Sequence, residues 1–150
     1  MIAEKQHEIE HRAKEQILDE LVKQHEFAVP ESLVDRQIDV RLERGLRALA
    51  AQGMRTEDMR KMDFPRLRSG QRDAATREVK SSLILDKIAE QEKIEVSDAE
   101  LDREIEQIAS QARQPIEAIR ARLEKEGGLD RVRARMRNEK TLDFLYRKSA

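Results

Sequence analysis

Apolar side chains recur at intervals of three and four along most of this 150-residue chain, and charged residues separate them. This spacing places the apolar side chains on one face of an α-helix. The chain has only five Gly and three Pro residues, so a sheet-rich fold would lack the residues that its turns require. Residues that favour helices are common throughout. We therefore predict an all-α fold.

Interruptions of this pattern divide the chain into six or so helices. Gly53 fits the position after a helix end, Phe64-Pro65 predicts a break, and Ser97-Asp98-Ala99-Glu100 matches the capping box that opens a helix. The predicted helices span about 2–27, 30–52, 56–62 and 66–92, followed by one opened at Ser97, one from Pro115 to the Gly127-Gly128 stop, and one over about 129–148.

Composition and charge restrict the compartment and the partners. Basic residues number 30 and acidic residues 31, which gives a net charge of −1, and 41% of the chain is charged. The N-terminus becomes charged too early for a signal peptide, and no apolar run approaches the roughly 20 residues of a membrane span. The chain has no Cys, which excludes disulfides and thiolate sites. We predict a soluble cytoplasmic chain that binds no membrane.

One short motif resembles a metal site. His7-Glu8-Ile9-Glu10-His11 matches H-E-x-x-H, in which two histidines four residues apart share a helix face and bind zinc. No third ligand follows His11 at the expected spacing, so we interpret both histidines as surface residues. The chain also lacks a phosphate-binding glycine loop and a serine nucleophile motif. We predict no catalytic residue, no metal ligand and no cofactor.

Alternating arginines mark the last predicted helix. Residues two apart on a helix differ by about 200° in direction, so Arg131, Arg133, Arg135 and Arg137 do not form one basic stripe. Acidic residues lie among them. We predict a solvated face with ion pairs four residues apart, and no nucleic-acid partner.

Flexible apolar residues cluster near the predicted break at Phe64. Met54, Met59 and Met62 lie close to it in sequence, where a closed core is harder to build than in mid-helix. Thioether side chains suit surfaces that accept many apolar partners. The alternative is that all four residues fill gaps in a core or form a packing joint.

The segment VPESLVDRQIDV at residues 29–40 resembles the C-terminal domain of the trigger factor family of bacterial ribosome-associated chaperones. Further features follow in the family's order and extend the resemblance over nearly the whole chain. These are Phe64-Pro65 before a long helix, the stretch from Leu83 to the Ser97 cap, Glu106-Gln107-Ile108-Ala109, Pro115, and Arg137-Asn138-Glu139-Lys140.

The resemblance implies one helical chaperone domain over residues 1–150, elongated and multi-helical, with protruding helical arms. Such a domain holds unfolded or nascent polypeptide without ATP. In the family it follows a ribosome-binding domain and an FKBP-like prolyl isomerase domain, and neither has a counterpart in this sequence. We therefore expect ribosome contact and prolyl isomerisation to belong to parts outside this chain, which would not itself be an enzyme.

The resemblance also indicates where clients bind, namely near the second helix and around Pro115. Together with the methionine cluster, the predicted client-binding residues are Leu46, Leu49, Met54, Met59, Met62, Phe64, Ile108, Ala112, Ala118, Ile119 and Ala121. The alternative is a helical scaffold or dimerisation module without client binding, and a homodimer remains open in either case. Gly53, Pro65 and Pro115 interrupt the sustained heptads that a coiled-coil scaffold needs.

Overall fold

The computed structural model describes residues 2–149, and within that range the chain is helical with no strand. Seven helices follow one another: α1 (Ile2–Gln24), α2 (Glu31–Ala51), α3 (Thr56–Arg60), α4 (Phe64–Gln91), α5 (Asp98–Ala112), α6 (Ile116–Glu126) and α7 (Gly128–Ser149). The predicted all-α fold is therefore confirmed. No helix in the described range is long and apolar enough to cross a bilayer.

The chain forms two compact units. Unit 1 comprises Met1–Ile17 with Leu85–Ala150, and unit 2 comprises Leu18–Ile84, so the boundaries fall within α1 and α4. Each unit has its own apolar cluster. In unit 2 the cluster consists of Val34, Ile38 and Ala75, with Val29 and Leu42 packed against it. In unit 1 it consists of Val96, Leu101, Ile105, Ala109 and Ile119.

In unit 2, α2 ends as its sequence predicts. Gly53 has φ +97°, a left-handed conformation that a residue without Cβ adopts at little cost. Its N–H donates to the Ala50 carbonyl at 3.0 Å, and the Met54 N–H donates to the Leu49 carbonyl at 3.0 Å. These two bonds form a Schellman motif, which satisfies the last carbonyls of α2 and reverses the chain.

The start of α4 differs from the prediction. The sequence places a break at Phe64-Pro65 and a helix from about residue 66, whereas α4 already begins at Phe64. The first turn of a helix has no partners for its N–H groups, so Pro65 loses no hydrogen bond there. Proline therefore marks the beginning of this helix.

Polar contacts join α2 to α4 within unit 2. Glu78 of α4 accepts hydrogen bonds from Gln37 at 2.5 Å and from Arg41 of α2. Arg72 of α4 forms an ion pair with Glu31 at the start of α2, at 2.9 Å. These contacts flank the apolar cluster that the two helices share.

In unit 1, the capping box predicted at Ser97 is present. The Ser97 hydroxyl accepts the Glu100 N–H at 3.2 Å, and the Glu100 carboxylate accepts the Ser97 N–H at 3.2 Å. Pro115 precedes α6, and Gly127, with φ +69°, ends it. Gly128 is already the first residue of α7.

Three basic residues of α7 hold the connection between α4 and α5. Arg137 donates to the Ile94 carbonyl at 3.0 Å, Lys140 to the Glu95 carbonyl at 2.8 Å, and Arg133 to the Val96 carbonyl at 2.5 Å. Three consecutive carbonyls thus receive donors from one helix. We call this arrangement the α7 clamp.

The predicted pattern of arginine pairs on α7 is wrong. Arg133 and Arg135 pair with carboxylates of α5, at 2.8 Å to Asp98 and 2.7 Å to Glu104. Arg137 belongs to the α7 clamp, and Arg131 donates to the Glu126 carbonyl at 2.9 Å. The arginines therefore connect elements of unit 1, where the sequence predicted pairs four residues apart within one helix.

Candidate binding groove

A shallow groove of about 370 Å³ lies in unit 2 between the C-terminal half of α2, the short helix α3 and the start of α4. We call it the α2–α3 groove. Its lining combines apolar side chains with a few charged ones: Glu43, Leu46, Arg47, Ala50, Thr56, Met59, Arg60 and Phe64.

The helical spacing explains which α2 residues line the groove. Positions 43, 46, 47 and 50 lie three, four and seven residues apart, so they share one face of α2. The buried residues Val34 and Ile38 of the same helix pack into the cluster of unit 2 instead. The reversal at Gly53 then directs the chain into α3, whose Met59 forms part of the lining.

The groove brings together three of the residues predicted to bind clients. Leu46, Met59 and Phe64 line it, and each is half-buried, so each keeps surface available to a partner. Leu49 and Met62 are also half-buried but lie outside the lining. The remaining member of that set, Met54, is outside the lining as well and is 36% exposed.

Charged groups border the apolar floor. Arg47 pairs with Glu43 at 3.7 Å, and both side chains are exposed. Arg60, by contrast, has no side-chain hydrogen bond or ion pair within residues 2–149. Sequence reasoning missed Glu43, Arg47 and Arg60. The helical spacing from Leu46 identifies the two α2 residues, but only the turn at Gly53 places Arg60 beside them.

The second predicted set lies in unit 1, around the junction of α5 and α6. Ala112, Ala118 and Ala121 are exposed, and Ile108 is half-buried against the core. Ile119 is fully buried within the cluster, with 0% of its surface exposed. Ile119 must therefore be corrected from a client-contacting residue to a core residue, since a partner cannot reach its side chain in this structure.

Unit 1 also contains a cavity of about 420 Å³ between α7 and the connection that the α7 clamp holds. Two of its charged side chains already have partners: Lys140 pairs with Glu100 at 3.0 Å, and Asp143 accepts a hydrogen bond from Lys14. The hydrogen bond from Lys140 lowers the pKa of Glu100, and that from Lys14 to Asp143 raises the pKa of Lys14. The α2–α3 groove is the better candidate for apolar ligands because Leu46, Met59 and Phe64 form its floor.

The two histidines of the H-E-x-x-H motif are exposed on α1. Across residues 2–149, no three His, Cys, Asp or Glu side chains come together as metal ligands. The structure therefore adds no third ligand to His7 and His11.

The chain is similar to known proteins along nearly its whole length. The family model for the bacterial trigger factor protein C-terminus matches residues 1–147. Trigger factor of Koribacter versatilis is 64% identical over 98% of this chain, and trigger factor of Solibacter usitatus is 41% identical over 99%. The chain spans about a third of the length of these curated relatives, at 34% and 35%.

One solved structure shares the fold. A structure of domains of trigger factor from Thermotoga maritima matches with a TM-score of 0.66 and 19% identity. The match covers 93% of this chain and 83% of the other. At that identity the likeness shows the fold alone.

Proposed function

Because this chain belongs to the bacterial trigger factor C-terminal family, we propose that it is an ATP-independent chaperone module that binds unfolded or nascent polypeptide. The observation that carries the proposal is the α2–α3 groove, whose apolar floor stays accessible in the folded chain. Its occupant would be an extended client segment with apolar side chains. Contact with that floor removes apolar surface from water, which favours binding without any nucleotide.

The chemistry of the groove supports a broad range of clients. Met59 and Leu46 are unbranched at Cβ and flexible, so they adapt to client side chains of different shapes. Exposed small residues around α5 and α6, among them Ala112, Ala118 and Ala121, would offer weaker additional contacts in unit 1. Several weak contacts along one client raise its apparent affinity.

We further propose that the other activities of the family lie outside this chain. Ribosome binding and prolyl isomerisation would belong to the part of the relatives, about two thirds of their length, that this chain does not match. The module would act in the cytoplasm. An assay of prolyl isomerisation with the isolated chain tests this division, and measurable catalysis would contradict it.

Aggregation of a denatured client tests the groove directly. We expect the double variant Leu46→Gln with Met59→Gln to suppress aggregation less well than the unmodified chain. Loss of two apolar contacts worth about 1 kcal/mol each corresponds to roughly 10- to 30-fold weaker binding. The matched control is Ile9→Gln, which removes an apolar side chain that is 64% exposed but lies outside the groove. Addition of ATP should change neither result.

Two outcomes would contradict the proposal. Equal suppression by the double variant and the unmodified chain would exclude the groove as the client site. An equal loss in the Ile9→Gln control would show that total exposed apolar surface decides binding. Circular dichroism of each variant verifies that the helices remain. Light scattering over a concentration series tests the scaffold alternative, which requires a dimer that persists on dilution.

A further inference from the structure

The lining of the α2–α3 groove is not electrically neutral. It contains two arginines and one glutamate, which gives a formal charge of +1 at the groove although the whole chain carries −1. The only acidic group of the lining, Glu43, already has a partner in Arg47 at 3.7 Å. The positive charge that remains belongs to Arg60.

The position of Arg60 follows from the geometry of α3. Thr56, Met59 and Arg60 lie three and four residues apart and form the side of α3 that lines the groove. The acidic residues of the same helix, Glu57 and Asp58, occupy positions outside the lining. The short helix therefore presents a cation to the groove and directs its carboxylates elsewhere.

Arg60 also has no partner of its own. Within the described range its guanidinium makes no hydrogen bond or ion pair, whereas other arginines of unit 2, such as Arg41, Arg68 and Arg72, bind carboxylates of α2 or α4. A guanidinium offers five donors and matches a carboxylate in two-pronged geometry. A carboxylate entering the groove would thus meet an unoccupied donor set beside an apolar floor.

We infer that the α2–α3 groove selects apolar client segments that carry an acidic residue next to the apolar side chains, and that Arg60 makes this selection. The inference rests on the proposed function, because it names the client class of the same groove. Client segments with basic flanks are disfavoured for two reasons. Glu43, the carboxylate that could pair with a basic client residue, already pairs with Arg47, and the positive charge of Arg60 repels a basic client residue. The effect is modest because the contact is exposed to water.

Fluorescence polarisation with three labelled peptides tests the inference. The peptides share a core of six apolar residues and are flanked on each side by two aspartates, two serines or two lysines. For the unmodified chain at low salt, we expect the aspartate peptide to bind about two- to fivefold more tightly than the serine peptide, and the lysine peptide to bind most weakly. Raising the salt concentration to about 1 M should remove the differences.

Matched variants separate Arg60 from net charge. Arg60→Glu and Arg103→Glu each change the formal charge from −1 to −3, but Arg103 is exposed on α5 in unit 1, outside the groove. We expect Arg60→Glu to reverse the order of the peptides and Arg103→Glu to preserve it. Arg60→Gln should bring the three affinities together, and it provides a readout if the charge reversal disturbs α3.

The outcomes distinguish this inference from the proposed function. Equal binding of all three peptides to the unmodified chain, or equal effects of the two charge reversals, would overturn the role of Arg60 and leave the client groove intact. Failure of even the serine peptide to bind, together with unimpaired aggregation suppression by the Leu46→Gln and Met59→Gln double variant, would overturn both.

Discussion

Ile119 and Leu46 show that the same apolar helical spacing can mark either a core residue or a residue at a binding groove. Both lie at apolar helical positions that the family resemblance assigns to client binding, yet Ile119 is fully buried and Leu46 is half-buried at the groove. Periodicity identifies the apolar face of a helix, but burial depends on which other helix covers that face. The sequence therefore predicts the candidate set, and only the fold separates core residues from surface residues.

Ile119 should behave as a core residue in a stability measurement. Replacement by Ala removes buried methyl and methylene groups and leaves a cavity, so we expect Ile119→Ala to lower the free energy of unfolding by about 2–4 kcal/mol. Urea denaturation followed by circular dichroism measures the change. Ala118→Ser, at an exposed neighbouring position, is the control and should change stability by less than about 0.5 kcal/mol. A negligible loss for Ile119→Ala would contradict its burial.

Asp86 gives a prediction about pH. Burial raises the pKa of this carboxyl above its ordinary value, and the charge of Arg137 offsets part of that effect. A raised pKa in the folded state means that the folded chain binds the proton more tightly than the unfolded chain does, so the ionised group costs stability at neutral pH. We expect Asp86→Asn to be as stable as the unmodified chain at pH 7 or more so.

The difference in unfolding free energy between Asp86→Asn and the unmodified chain should shrink as the pH falls toward the ordinary carboxyl pKa of 3.8. At that pH Asp86 becomes neutral, as the asparagine already is. Urea midpoints measured at several pH values between neutrality and pH 4 provide the comparison. A growing advantage of the variant on acidification would contradict the raised pKa.

At the scale of the element, the helix ends that carry a capping signal were predictable. The capping box at Ser97, the cap at Gly53 and the start of α6 after Pro115 all occur where the sequence places them, because these signals act through neighbouring backbone groups. The connection between α4 and α5 was not predictable in the same way. The α7 clamp that holds it comes from residues about 40 positions away in sequence.

Loss of the Ser97 cap should destabilise unit 1. Ser97→Ala removes the hydroxyl that accepts the Glu100 N–H, and we expect a loss of about 0.5–2 kcal/mol in the free energy of unfolding. Ser97→Asp retains an acceptor at this position and is the matched control. Equal stabilities of the Ala and Asp variants would show that the cap contributes nothing measurable.

Removing one donor from the α7 clamp should loosen the segment that it holds. Lys140→Met keeps an unbranched apolar stem but loses the ammonium group and its contacts with the Glu95 carbonyl and Glu100. We expect backbone amides between residues 92 and 97 to exchange hydrogen faster in the variant, with α2 unaffected. Hydrogen exchange followed by mass spectrometry measures both regions. Unchanged protection of residues 92–97 would indicate that the other two donors suffice.

At the scale of the whole molecule, the high charge content corresponds to many exposed ion pairs around two small apolar clusters. In the pair between Arg72 and Glu31, for example, 49% of the arginine side chain and 74% of the glutamate side chain are exposed to solvent. Such pairs contribute about 0–1 kcal/mol each and are screened by salt. The two clusters mark where the apolar core of each unit lies.

The weak exposed pairs predict a small effect of salt on stability. We expect the urea midpoint to shift only slightly when NaCl is raised from about 0.1 M to about 1 M, because screening removes attractions and repulsions together. Circular dichroism at both salt concentrations measures the midpoint. A large loss of stability in high salt would show that the ion pairs hold the fold more than the apolar clusters do.

The length of α3 determines how readily the wall of the α2–α3 groove changes shape. A helix of five residues is far below the length at which a helix persists in water, so α3 depends on the turn before it and the packing around it for its order. Little cooperative structure is lost when such a segment shifts or frays. An incoming segment therefore meets a wall with a low deformation energy, and any conformational entropy that the wall loses when it orders around an occupant offsets part of the binding free energy.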